Sequence, residues 1–263
     1  MSDTPRIANG YLNLLGLAQC HECDLCGEDY DGHYSTRRRV AAPMPNAKPF
    51  MKVAGRGIMP ADVYLLGEGP GEQEDKQGLP FVGQAGKTLQ DAIEWAGLHT
   101  NKPQRKLGSV YIGNTVRCRP PHNRKPYPWE IEACSHWTEI EMVKVHPKII
   151  VALGATAMSY FTPEREWPSK ARVGDYVGRE FARWSPTGHI SGPASSPMDL
   201  TEVRSWDGSV PVVGCYHPAA RDPRQRGKVK EVLLRVAMVL GVVGGGEGGE
   251  MGRVKSTVDY GVL

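Results

Sequence analysis

The stretch 67-GEGPGEQEDKQGLPFVGQAGK-87 holds six glycines and four acidic residues and directly follows the apolar run 63-VYLL-66. Glycine after a strand commonly lets backbone N–H groups close around a phosphate. The carboxylates here would repel one, so the loop is read as a site for something else, with its acids addressing water or positive charge. A second set of reactive residues is the cysteines, at 20, 23, 26, 118, 134 and 215. Cys20 and Cys23 form a C-x-x-C, Cys118 and Cys134 enclose fifteen residues, and 94 residues separate the two pairs. Clustered cysteines in an intracellular chain read as metal ligands before they read as disulfides. A zinc ribbon normally shows two tight pairs, whereas an iron–sulfur cluster accepts one tight pair and two distant thiolates. The spacing therefore favours a cluster and leaves zinc open. Cys26 is an alternative to Cys20, because 23-CDLC-26 is also a C-x-x-C, and Cys215 lies in an apolar run and reads as core.

The elements that must position these residues follow from hydrophobic periodicity. Residues 63–70 read as a buried strand running into the loop, 85–98 as a helix, 109–116 as a strand and 129–145 as a helix. A strand at 148–154, a short helix at 155–161, a strand at 210–218 and an amphipathic helix at 226–240 complete the series. Alternation of this kind predicts an α/β fold, a three-layer α/β/α sandwich around a central, mainly parallel four-stranded sheet, with function at the carboxyl ends of the strands. Glu68, Asn114 and His217 fall at those ends. Two segments break the rhythm, about 27–60 and 162–209, and are expected to be loop insertions into one domain spanning 1–243. The Gly-rich run 244–263 is expected to be a flexible tail.

Hydrophobic content of 40% and charged content of 23% are ordinary for a globular chain, and no apolar run reaches the about 18 residues that would span a membrane. With no signal-peptide pattern, a cytoplasmic protein is expected. The net charge of +3 says little, but Arg and Lys concentrate at 36-TRRR-39, 117-RCRPPHNRK-125 and 221-RDPRQRGKVK-230. Two of these clusters flank the special residues, which points to a phosphate backbone as partner.

Taken together, 67-GEGPGEQED-75, 80-PFVGQAG-86, 114-NTVRCRPPHNRKPYP-128, 151-VALGATA-157 and 217-HPAA-220 resemble the uracil-DNA glycosylase superfamily, and most closely its iron–sulfur family 4. The resemblance implies an enzyme that flips a pyrimidine out of DNA and hydrolyses its N-glycosidic bond, leaving an abasic site for base excision repair. It implies a 4Fe-4S cluster on Cys20, Cys23, Cys118 and Cys134. It further implies that Phe81 stacks on the base, that Asn114 reads its edge and that His217 donates to the negative charge developing on it. Glu68 or Glu74 would polarise water or face the sugar cation. Gly69 joins the base-binding set and stands where the best-known uracil glycosylases carry an aspartate. Arg117, Arg119, Arg124, Lys125, Arg221 and Arg224 are the expected DNA contacts, and a monomer is expected.

The chain departs from the family pattern in three places, the first being a longer linker between the C-x-x-C and the 67-GEGPG-71 loop. Arg221 stands where an apolar residue usually wedges into the duplex, and the segment before His217 is expanded. Uracil is the expected base, with a bulky modified pyrimidine of phage DNA, hydroxymethylated or glucosylated, as the alternative in an anti-phage role. A DNA-binding module without catalysis is the reading from another class, and the presence of Glu68, Asn114 and His217 argues against it.

Overall fold

The computed structural model describes residues 17, 20, 22, 23, 25, 52–101, 107–162, 165, 172–187, 190, 191, 198, 199 and 208–242. Four strands form its centre: β2 (Val63–Gly67), β3 (Val110–Asn114), β4 (Ile149–Leu153) and β8 (Val210–Cys215). They lie parallel in the order β3-β2-β4-β8. Every residue of the four is buried, which is why they read as continuous apolar runs without alternation.

Alternate side chains of these strands serve opposite faces. Tyr64 and Leu66 join Tyr111, Ile150, Ala152 and Val212 beneath α3 (Pro128–Val145) and α4 (Ala155–Ser159). Val63 and Leu65 join Ile112, Val151, Val213 and Cys215 beneath α2 (Gln84–Trp95) and α6 (Pro223–Val239). The result is the expected three-layer sandwich.

The ends of the helices are set by local chemistry. In α3, Pro128 occupies the first turn and Glu130 accepts the Tyr127 N–H at 2.7 Å, while His146 leaves in a left-handed conformation at φ 53° before Pro147. In α6, the Asp222 side chain accepts the Arg224 N–H at 2.9 Å and Pro223 follows the cap.

The sheet extends beyond the four expected strands. A two-residue β1 (Arg56–Gly57) pairs antiparallel with β3 on one edge. On the other edge, β5 (Arg179–Trp184) pairs antiparallel with β8 through a bulge between Glu180 and Ala182, and carries the two-residue strands β6 (Ile190–Ser191) and β7 (Met198–Asp199). Residues 179–184 lie in a segment expected as loop and are instead a strand, preceded by α5 (Val173–Tyr176). Phe181 and Trp184 are buried there, and Glu180 and Arg183 pair at 2.7 Å, which lets a strand with charged positions sit against the core. Six acidic and polar residues after the opening glycines also form a helix, α1 (Glu72–Gln77). Residues 27–51, Cys26 and the tail 244–263 lie outside the described residues.

Candidate active site

The carboxyl ends of β2, β3, β4 and β8 meet at one edge of the sheet, and each delivers a functional group there. Gly67 and Asn114 are cross-strand neighbours at the last pair of the β2–β3 ladder. A Cβ on Gly67 would lie 2.5 Å from Asn114 Oδ1 and 2.5 Å from Phe81 Cζ, so the amide and the ring close on the bare backbone of Gly67 from two sides. Only glycine leaves that space. Asn114 is 3% exposed, and its Oδ1 is buried with no hydrogen-bond partner. A buried carbonyl oxygen left unsatisfied is unfavourable by about 1–3 kcal/mol.

Phe81 is 7% exposed, packed into the apolar core, and sits on strained backbone. Its φ is 54°, in the left-handed region that a bulky residue rarely adopts. Arg56 Nη2 donates to the Phe81 carbonyl at 3.1 Å, and Gly86 packs so closely that a Cβ there would lie 2.0 Å from the same oxygen.

The two candidate acids occupy different surroundings. Glu74, in α1, is buried and accepts from the backbone N–H groups of Val82 at 2.9 Å, Gly83 at 2.8 Å and Gly71 at 3.2 Å. Both of its oxygens are taken up in tying the start of α1 to the segment that carries Phe81. Glu68 is half-buried just past β2, and the Thr156 hydroxyl, at the start of α4, donates to its Oε2 at 2.5 Å. Thr156 was not among the expected site residues, although it lies inside the 151-VALGATA-157 segment; a small hydroxyl residue at the first turn of a helix after a strand was the available signal.

His217 follows β8, beside Gly154, where a Cβ would stand 3.0 Å from that of His217. Its ring lies 6.2 Å from the Phe81 ring between centroids. The Ala219 N–H donates to Nδ1 at 3.1 Å and the Ala220 N–H to the His217 carbonyl at 2.9 Å, so the 217-HPAA-220 turn orients the imidazole. Burial holds its pKa below the ordinary value, against an opposing pull from the Glu68 carboxylate. The neutral ring with Nδ1 accepting carries its proton on Nε2.

The expected DNA contacts divide. Arg117 is 1% exposed and lies inside the domain: it donates to the Asn114 carbonyl, donates to Thr138 Oγ1 at 3.1 Å and pairs with Glu141 at 3.0 Å. It is a buried structural cation, not a surface contact, because Glu141 is itself fully buried and needs it. Arg124 is largely committed to Glu130, at 2.6 and 2.8 Å. Arg119 donates to Asn123 at 2.8 Å and keeps part of its side chain exposed. Lys125, Arg221 and Arg224 are exposed, the last paired with Asp222 at 3.1 Å. Gly69 lies in the loop with its α-carbon against the β3 exit, where a Cβ would sit 2.8 Å from Val116 Cγ2.

Cys20, Cys23, Cys118 and Cys134 line one pocket together with Leu17, Leu25, Val116 and Arg117. Among the described residues no three His, Cys, Asp or Glu side chains converge tightly enough to hold a single metal ion. Cys215 is fully buried in the core, as expected.

Residues 55–237 match the family model described as the uracil DNA glycosylase superfamily. The chain belongs to this superfamily. The Type-4 uracil-DNA glycosylase of Thermotoga maritima is 45% identical over 182 residues, covering 69% of this chain and 77% of the relative. That of Saccharolobus solfataricus is 32% identical over 209 residues, covering 78% and 87%. A Type-5 uracil-DNA glycosylase of Thermus thermophilus is 38% identical over 115 residues, 40% of this chain and 52% of the relative. The glycosylase domain so matched contains every strand end of the site. Among the described residues no helix is long and apolar enough to cross a membrane.

Proposed function

We propose that the protein is a monofunctional uracil-DNA glycosylase, and the observation that carries this reading is the buried, unpartnered Asn114 Oδ1 facing Phe81 across Gly67. A flipped uracil stacks on the Phe81 ring and presents its N3–H to that oxygen. Cytosine carries a lone pair at N3 and would leave the acceptor opposed by another acceptor, so the same amide discriminates between the two bases.

As the C1′–N1 bond breaks, its electron pair passes into the uracil ring and onto O2, and the sugar becomes cationic at C1′. His217, neutral with its proton on Nε2, donates to the departing O2. Glu68, held by Thr156, opposes the sugar cation and orients the water that adds to C1′; the water's proton leaves to solvent. Glu74 acts as a positioning residue that fixes the Phe81 segment. Arg119, Lys125, Arg221 and Arg224 contact phosphates, and Arg221 fills the vacated space in the duplex by stacking and charge.

The four pocket thiols fit a 4Fe-4S cluster: two come from the N-terminal segment, one follows β3 and one sits on α3, and all are soft ligands inside a largely apolar lining. Such a cluster would supply a covalent staple holding residues 20–23 against the exit of β3. We further propose that the protein works as a cytoplasmic monomer.

Abasic-site formation on duplexes carrying uracil, 5-hydroxymethylcytosine or its glucosylated form tests the reading. Alkali-labile breaks on the uracil duplex, lowered in the Asn114→Ala and His217→Ala variants, are expected. Breaks on none of the three substrates would overturn it, and a colourless, iron-free preparation would overturn the cluster.

A further inference from the structure

We propose that Tyr127 and Trp129 form a stacking platform for an unpaired base of single-stranded DNA beside the base pocket, an inference that rests on the glycosylase reading. Tyr127 is 38% and Trp129 58% exposed, unusual for rings that are normally covered. The two rings are stacked, with centroids 4.3 Å apart and planes 14° from parallel. The Arg124 guanidinium lies 4.0 Å from the Tyr127 ring centre. Two planar groups this close to one ring cannot share a face, so Arg124 and Trp129 flank it and the indole ends the pile with its outer face open.

The pile is rigid before any ligand arrives. Glu130, with no side-chain exposure, grips Arg124 through both oxygens and also accepts the Tyr127 N–H. Pro126 and Pro128 bracket Tyr127 and restrict its backbone. A preordered aromatic face loses little entropy on binding.

Position and charge select the occupant. Helix α3 starts at the sheet edge where β3 ends and runs back toward the start of β4, so its first turn and the pile lie at the edge that carries the base pocket. The connecting segment touches the pocket loop directly, since Val116 and Pro120 are the neighbours of Gly69. Exposed Lys125 and partly exposed Arg119 stand in the same segment and suit phosphates on either side of a stacked base. An open indole among cations matches a nucleobase within an anionic strand better than an apolar protein surface.

The test measures binding of a labelled, uracil-free oligothymidylate and of a uracil-free duplex by fluorescence anisotropy, with wild type and the variants Trp129→Ala and Trp129→Phe. Loss of one stacked base is expected to weaken single-strand binding about five- to hundredfold in Trp129→Ala, with less change on the duplex. Trp129→Phe is expected to retain most of the affinity, and circular dichroism melts report that the fold is kept. Equal single-strand binding by Trp129→Ala and wild type would overturn the platform, as would an equal loss on both DNA forms. Uracil release is assayed on the same wild-type preparation. Release with binding indifferent to Trp129 sinks the platform alone, and no release with binding that depends on Trp129 sinks the glycosylase reading alone.

Discussion

Replacing Glu74 with alanine separates clamping from chemistry. The carboxylate accepts three backbone N–H groups, from Val82, Gly83 and Gly71. Hydrogen bonds to a charged acceptor contribute about 1.5–3 kcal/mol each, but these donors are only partly buried and regain water when the loop opens, so about 1 kcal/mol each, or ~3 kcal/mol in all, is the working figure. In a domain of this size each kcal/mol lowers the melting temperature by about 2–4 °C, so Glu74→Ala is expected to melt about 6–12 °C below wild type. Release of the clamp also frees the segment carrying Phe81, and a displacement of about 1 Å at a positioned group lowers the rate on the order of a hundredfold. Thermal melts and single-turnover uracil release at saturating enzyme read the two effects. Glu74→Gln, which keeps one acceptor oxygen, is expected to fall between wild type and alanine in both. A Glu74→Ala variant that melts with wild type while its chemical step collapses would refute the clamp and move Glu74 into the chemistry.

Two further predictions concern buried charge and pH. Arg117→Met strands the buried Glu141 carboxylate and is expected to destabilise the protein by about 3–5 kcal/mol, seen as a lower denaturation midpoint; the salt dependence of DNA binding by the folded variant should not change, whereas loss of a true phosphate contact would reduce that slope by about one. Because burial depresses the His217 pKa, the unfolded chain takes up a proton below about pH 6.5 that the native ring still refuses, so stability falls as pH drops through that value. Protonation at Nδ1 also sets an N–H against that of Ala219 and opens the turn. The acid limb of the rate profile is therefore expected below about pH 6.5, and to move lower still in Glu68→Gln, which removes the opposing pull. An NMR titration placing His217 above its ordinary value would contradict this.

Much of this architecture is legible in the sequence because each central strand is a short, almost wholly apolar run, as at 110-VYIGN-114 and 149-IIVAL-153. The strand 179–184 is not, because three of its six residues are charged and only half of its pattern is apolar. Asn114 and His217 announce themselves by lying at strand ends. Arg117 misleads for the opposite reason: a run of basic residues counts charges but does not say which side chain turns inward, and the partner that draws it in, Glu141, is far along the chain on α3. Glu68 and Glu74 look alike as letters, and they separate only when the backbone donors of 82–83 are brought back to α1.

The left-handed backbone at Phe81 has a consequence for affinity. A ring packed into the apolar core, on a main chain fixed at φ 54° by the Arg56 contact and the close packing of Gly86, has already surrendered its freedom when the chain folds. Side-chain immobilisation at a binding site ordinarily subtracts about 0.5–1.5 kcal/mol per residue from the affinity. Here that loss is charged to the stability of the protein, and an incoming base meets a wall that has nothing left to settle.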